Sequence, residues 1–280
     1  MPEKKRILLV DDDPDVHKIL EIALRAEDRE IVSAFDGLEG LQKVEEEPWN
    51  LVLTDVRMPG LDGMELLDRI RRSRPFIRVM VMTGAGTDEI MLTALRRDAY
   101  AWFAKPFTVE AVRDMVERAL ESNSCGNDIE VISASPQWLG LKLRCKMETA
   151  ARIVQFIREM QSGLPSGDHE NVATAFREIL MNAIEHGGGN DPNKSVVITY
   201  VRADRARLYY VRDPGKGFSF EKLKHAAVSN SSAAPMEHVG TRLELGLRPG
   251  GFGILLTRSL VDELIYNEFG NEVLLIKYVK

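Results

Sequence analysis

The sequence predicts two α/β domains in tandem, the first built on a doubly wound parallel sheet. Three observations carry this. In the first ~120 residues, short unbroken apolar runs alternate with stretches of helical period. A polar, aperiodic stretch, Glu121-Ser122-Asn123-Ser124-Cys125-Gly126-Asn127-Asp128, then interrupts the pattern. Beyond it come paired strands, longer helices and two glycine-rich turns. The expected division is a first domain at 1–121, a linker at 122–128 and a second domain at 129–280, as suits a chain of 280 residues.

The elements follow in order. Ile7-Leu8-Leu9-Val10 is a buried strand, and Val16, Ile19, Leu20, Ala23 and Leu24 mark the helix after it. A second strand lies near 31–34, followed by a helix carrying Leu38, Leu41 and Val44. Leu51-Val52-Leu53-Thr54 is the third strand, and Met64, Leu67 and Ile70 mark the third helix. Val79–Met82 and Ala101–Ala104 are the fourth and fifth strands, and Val109, Val112, Val116 and Leu120 line the last helix. Strands apolar at every position imply a parallel sheet covered on both faces. In the second half, strands near 129–133 and 140–144 precede a helix at about 148–162. Gly163-Leu164-Pro165-Ser166-Gly167 breaks the chain, and Asp168 is the expected N-cap of the next helix. Strands near 195–202 and 206–212 lead to a glycine turn, then to a Ser/Ala/Pro-rich stretch at 221–247. A helix at about 253–263 and two strands close the sequence.

Composition excludes several classes. Hydrophobic residues make up 44% and charged residues 29%, an ordinary soluble balance. No apolar run approaches the ~18–20 residues of a membrane span, and the N-terminus lacks a signal-peptide pattern. Cys125 and Cys145 lack metal-ligand spacing, so a reducing cytoplasm is expected. Residues 1–121 hold 25 acidic and 18 basic side chains, net −7, and the remainder 18 and 19, net +1. There is no basic stripe of the kind that tracks nucleic acid, so neither nucleic acid nor membrane is an expected partner.

Chemistry concentrates first at strand ends. Asp11 and Asp12 end the first strand, Asp55 the third, Thr83 the fourth and Lys105 the fifth. In an open parallel sheet these ends converge on one crevice. Crowded carboxylates repel one another unless a cation neutralises them, and hard oxygen donors suit Mg²⁺. Lys105 is suited to pair with phosphoryl oxygens and Thr83 to hydrogen-bond one. The segments Leu9-Val10-Asp11-Asp12-Asp13-Pro14, Thr54–Gly63, Met82-Thr83-Gly84 and Lys105-Pro106-Phe107 resemble response-regulator receiver domains, whose fold is a flavodoxin-like (βα)5 sheet. The resemblance covers about 5–121 and implies that Asp55 accepts a phosphoryl group from a cognate histidine kinase. It further implies that Asp12, Asp55 and the Arg57 carbonyl bind Mg²⁺, with Asp11 acting through water. Trp102 stands at the position of the family's switch aromatic.

The second constellation lies in Phe176–Asn190. Glu178, Asn182 and His186, at i, i+4 and i+8, share one face of an ideal α-helix, beside an apolar face of Phe176, Ile179, Leu180, Ala183 and Ile184. A carboxylate and an amide one turn apart, on a helix running into glycines, suit a divalent cation with a phosphate chain. Glu178 is a candidate general base. His186 reads as a hydrogen-bonded residue at the helix end. Asp213-Pro214-Gly215-Lys216-Gly217-Phe218 follows a strand, and Arg248-Pro249-Gly250-Gly251-Phe252-Gly253-Ile254 opens a helix, whose N-terminal amides favour phosphate.

These boxes, in this order, resemble the N, G1 and G2 boxes of the ATP-binding domain of histidine kinases, DNA gyrase and bacterial anti-sigma serine kinases. The fold implied is the α/β sandwich of the histidine kinase-like ATPase (Bergerat) type. The resemblance implies ATP and Mg²⁺ as cofactors, Asn182 as metal ligand, and Asp213 as acceptor for the adenine amino group. Gly215 and Gly217 then allow close approach, Gly251 and Gly253 open the phosphate-facing helix, and Arg248 and Lys216 are placed to reach the γ-phosphate. No histidine lies between 121 and 168 to serve a histidine kinase, and no transducer region of the gyrase kind follows. The 129–280 region looks most like the anti-sigma serine kinases. That implies a serine/threonine kinase acting on a STAS-type anti-anti-sigma protein, with a sigma factor as a further partner and a homodimer as a possible assembly. The rivals are a nucleotide-gated anti-sigma or partner-binding module without phosphoryl transfer, and an unorthodox histidine kinase-like protein.

Overall fold

The computed structural model describes residues 4–84, 88–121, 128–160, 163–218 and 253–279. The chain divides into two compact units, 1–127 and 128–280.

The first unit alternates β1 (Lys5–Val10), α1 (Pro14–Leu24), β2 (Arg29–Ala34), α2 (Gly37–Glu46), β3 (Leu51–Asp55), α3 (Gly63–Ser73), β4 (Arg78–Thr83), α4 (Asp88–Arg96), β5 (Ala101–Ala104) and α5 (Val109–Glu121). Its strands are parallel, in the order β2-β1-β3-β4-β5. The three central strands are buried on both faces, as their unbroken apolar runs require. Aspartates start three helices: Asp13, Asp36 and Asp62 accept from the amides of Asp15, Glu39 and Glu65 at 2.7–2.9 Å. Each satisfies a donor that the first helical turn leaves unpaired. Helix α4, for which the sequence reading names no residues, buries Met91, Leu92 and Ala94. One apolar cluster joins Ile7 and Leu9, Leu20 and Leu24 of α1, Leu53, Met80, Phe103, and Val112 and Val116 of α5. Truncating a fully buried leucine in such a core, Leu20→Ala for example, costs about 2–5 kcal/mol.

The α1 expectation needs one correction. Ile19 is 49% exposed, and the buried face runs His17, Leu20, Ala23, Leu24. His17 joins the buried face from one side, and Ile19 turns outward on the other.

The second unit contains β6 (Ile129–Ser135), β7 (Trp138–Arg144), α6 (Met147–Glu159), α7 (Ser166–Asn182), β8 (Ser195–Arg202), β9 (Ala206–Arg212), α8 (Gly253–Leu260), β10 (Glu263–Tyr266) and β11 (Glu272–Tyr278). Its six-stranded sheet runs β10-β11-β9-β8-β7-β6 with every pairing antiparallel. Alternate residues turn inward: Leu139, Leu141 and Leu143, then Val196, Ile198 and Tyr200, then Tyr209 and Val211, then Val273 and Leu275. Helix α7 packs between α6 and α8. Its Phe176 ring lies 5.7 Å from Tyr209, which lies 5.0 Å from Tyr200. The α7 start differs from expectation. Pro165 occupies the N-cap position, and Asp168 sits one turn inside, paired at 2.9 Å with Lys277 of β11. Helix α7 also changes pitch: Ala183–Gly187 form a π-turn directly after Asn182.

Candidate functional site

In the first unit, the β1, β3, β4 and β5 termini bring Asp11, Asp55, Thr83 and Lys105 to one edge. Asp11 is 1% exposed and Asp55 5%. The Lys105 ammonium lies 2.6 Å from Asp11 Oδ2 and 2.6 Å from Asp55 Oδ1. Asp11 Oδ1 accepts from the Asp13 amide at 3.0 Å, and Asp55 Oδ2 from the Arg57 amide at 2.6 Å. The Lys105 amide donates to the Thr83 carbonyl at 2.7 Å. Gly63 opens α3 so close to the Asp55 carbonyl that a side chain there would collide with it. Burial pushes the Asp11 carboxyl up, opposed by hydrogen bonds from Lys105 and the Asp13 amide. Burial also works against the Lys105 ammonium, but its bonds to Asp11 and Asp55 outweigh that and hold its pKa above the ordinary lysine value.

Asp12, next along the chain from Asp11, is exposed. Among the described residues no three acidic, histidine or cysteine side chains are gathered around one metal position. Asp11 and Asp55 nevertheless converge on a single cationic atom, and two carboxylates against one ammonium leave a negative charge over. That donor set fits a hard divalent cation. The sequence reading missed His17, which lies beneath Asp11. Its only sequence signal was a polar residue at the spacing of the buried helix face.

In the second unit, Glu178 and Asn182 project from the last turn and a half of α7 toward the start of α8. A β-carbon added at Gly253 would stand 3.2 Å from Glu178 Oε2 and 3.7 Å from Asn182 Nδ2. Glu178 Oε1 also pairs with Arg177 Nη1 at 2.9 Å. The i, i+4, i+8 spacing stops applying at Asn182, because the π-turn carries the following residues around a wider path. His186 is exposed. Gly187 faces Asp213 and Gly188 faces the buried Cys145 thiol, each too closely for a side chain. Asp213 Oδ1 accepts from the Gly215 amide at 2.7 Å. Burial raises the Asp213 carboxyl above the usual range, opposed by that bond.

The turn at 213–218 is braced by the 267–271 turn between β10 and β11, which the sequence reading overlooked. Asn267 Oδ1 accepts from the amides of Gly270, Asn271 and Glu272 at 2.8–3.2 Å, and its Nδ2 donates to Asn271 Oδ1 at 2.9 Å. The Asp213 amide donates to the Asn271 carbonyl at 3.0 Å. Gly217, at φ +73°, lies against the Phe269 carbonyl, and only glycine fits there. A cleft of about 450 Å³ borders this turn, lined in part by Lys142, Arg212, Asp213, Gly215 and Asn271. Lys216 is exposed. Arg248, Gly251 and the 221–247 stretch lie outside the described residues, so the structure brings together Glu178, Asn182 and Gly253, and separately Gly187, Asp213 and Gly215.

Two features stand out: an acidic pocket at the strand ends of a parallel sheet, and a helix–glycine site on an antiparallel one. Family models match accordingly, a response regulator receiver domain at 7–117 and a histidine kinase-like ATPase domain at 143–277. Sporulation initiation phosphotransferase F of Bacillus subtilis (strain 168) is 34% identical over 120 residues, which cover 43% of this chain and 97% of that protein. The chain belongs to the response regulator receiver family, with a histidine kinase-like ATPase domain following the receiver. Transcriptional regulatory protein GlrR of Escherichia coli (strain K12) is 30% identical over 161 residues, 56% of this chain. The chain spans 36% of that relative's length. A CheY-like receiver domain from Methanospirillum hungatei JF-1 is 32% identical, covers 42% of this chain and 95% of its own, and has a TM-score of 0.41. Among the described residues no helix is long and apolar enough to cross a membrane.

Proposed function

We propose that this protein is a cytoplasmic two-component response regulator in which phosphorylation of Asp55 controls an ATP-dependent serine/threonine protein kinase of the anti-sigma type. The receiver comprises 1–121, the linker 122–128 and the kinase domain 129–280. A cognate histidine kinase supplies the phosphoryl group, which passes to an Asp55 carboxylate oxygen. Asp11, Asp12, Asp55 and the Arg57 carbonyl hold Mg²⁺, which offsets the carboxylate charge and orients the incoming phosphate. Thr83 and Lys105 bind the phosphoryl oxygens. In the kinase domain Asn182 carries the Mg²⁺ of ATP. Asp213, Gly215 and Gly217 receive the adenine, and Arg248, Gly251 and Gly253 the phosphates. Glu178 is the general base that takes the proton from a serine hydroxyl. The substrate is a STAS-type anti-anti-sigma protein, a sigma factor is a second partner, and the domain can pair with a second copy.

The observation that carries the reading is the juxtaposition of Glu178 and Asn182 with Gly253 at the start of α8. A carboxylate and a neutral amide beside a helix N-terminus, where phosphate is favoured, support the base and metal-ligand roles. A second reading is a nucleotide-gated binding module without transfer. The Arg177–Glu178 ion pair favours it, because it engages the carboxylate a base would need free. To separate them, the protein is mixed with Mg²⁺, γ-labelled ATP and STAS-domain proteins. Acid-stable label on a STAS protein, absent with Glu178→Ala, supports the kinase. Nucleotide binding with no label on any partner leaves the binding module.

A further inference from the structure

We propose that His17 is a positioning residue for the receiver's divalent-cation site: its imidazole fixes the Asp11 main chain and thereby the reach of the Asp11 carboxylate. The inference rests on the cation reading of that pocket given above. His17 is 3% exposed and held on three sides. Its Nε2 lies 2.8 Å from the Asp11 carbonyl, which only accepts, so Nε2 carries the hydrogen. Its Nδ1 lies 2.9 Å from Ser33 Oγ on β2, and Ser33 Oγ donates to Glu21 Oε1 at 3.0 Å. The ring tilts against Phe35 with centroids 4.6 Å apart.

Asp11 is therefore gripped at every polar atom. Its amide donates to the Ala34 carbonyl at 3.2 Å, and its carbonyl takes His17. One carboxylate oxygen takes the Asp13 amide and the other Lys105. The backbone bond from β2 and the imidazole from α1 approach the same peptide segment, so losing the imidazole leaves a buried carbonyl without its donor and frees the peptide to rotate. Rotation there moves the carboxylate relative to Asp55. Helix α1 thus reaches the pocket through a residue that never touches the ion, as hydrogen-bonded outer partners orient metal ligands elsewhere.

The test uses three replacements in the full chain. His17→Gln offers an amide donor where Nε2 sits. His17→Asn reaches only the Nδ1 position. His17→Phe keeps the ring beside Phe35 and gives up both bonds. Mn²⁺ binding is read from the free-ion electron spin resonance signal, and metal-free thermal unfolding is followed in parallel. The expected result is about tenfold weaker Mn²⁺ binding for Asn and Phe, near-unchanged binding for Gln, and Mn²⁺ affinity that does not track the melting temperature. Phe binding as tightly as the unchanged chain, or Gln as weakly as Phe, overturns the proposal. If His17→Phe does not fold, the Gln and Asn pair carries the comparison. If the unchanged chain binds no Mn²⁺, the cation reading itself fails. The metal-free NMR shifts of the Asp12 and Asp13 amides then decide the His17 tie, which predicts movement in Asn and Phe but not in Gln.

Discussion

The acidic pocket of the first unit and the helix–glycine site of the second are built by opposite means. The first places charge: two buried carboxylates share one ammonium at the ends of parallel strands. The second places absence: Gly187, Gly215, Gly217 and Gly253 each leave room where a side chain would meet Asp213, Phe269 or Glu178. A charged pocket fails when a charge is removed, a glycine site when an atom is added. Variants that do one or the other sharpen that contrast.

The largest effect is expected from Asp55→Asn. Phosphorylation by a small-molecule phosphodonor should fall below detection, because the attacking carboxylate is gone. Residual labelling above a tenth of the unchanged chain's would show that another group accepts the phosphate. Next comes Gly187→Ala, whose methyl displaces the Asp213 carboxyl. ATP affinity measured by calorimetry should drop at least tenfold, with the receiver's phosphorylation unaffected. Gly217→Ala adds a methyl at a left-handed φ against a carbonyl. It should lower the second unit's stability in urea by about 1–3 kcal/mol.

A smaller and reversed effect is expected from Asp213→Asn. Burial raises the folded-state pKa of this acid. Its ionisation therefore costs stability as pH rises from the ordinary carboxylate range through the raised value, while at lower pH that cost is absent. The asparagine keeps an acceptor for the Gly215 amide and never ionises. Its metal-free form should melt higher than the unchanged chain near neutral pH and converge with it in acid, even as ATP binding is lost. Equal melting temperatures at both pH values would contradict the buried-acid account. Smallest is Asp168→Ala, which removes a partly exposed ion pair to Lys277. It should cost no more than about 1 kcal/mol.

The two regions also differ in how far their sequences disclosed them. In a parallel sheet, strand ends converge by topology, so Asp11, Asp55 and Lys105 could be assembled from linear order alone. That Asp11 is buried and Asp12 exposed was not legible, because which of two neighbours turns inward depends on the packing of the loop. His17 escaped because its partners, Ser33 on β2 and Phe35 just after it, are distant in sequence, and apolar periodicity gives a histidine no weight. In the second unit the α-helical face held through Asn182 and then broke at the π-turn, where close approach to Cys145 and Asp213 replaces regular spacing. The Asn267–Asn271 brace rests on one side chain collecting local amides in a turn, and no apolar pattern announces such a contact.

Gly187, which ends the π-turn, and Gly188 after it carry a consequence for inheritance. Glu185 and His186 face solvent, and Gly189, though uncrowded, adopts a left-handed φ of +67° that favours glycine. Gly187 and Gly188 between them admit nothing larger than hydrogen. A saturation library across 185–189 should therefore show free substitution at 185 and 186, two forbidden positions at 187 and 188, and a milder preference for glycine at 189. Drift can rewrite the surface there freely while those two codons stay fixed.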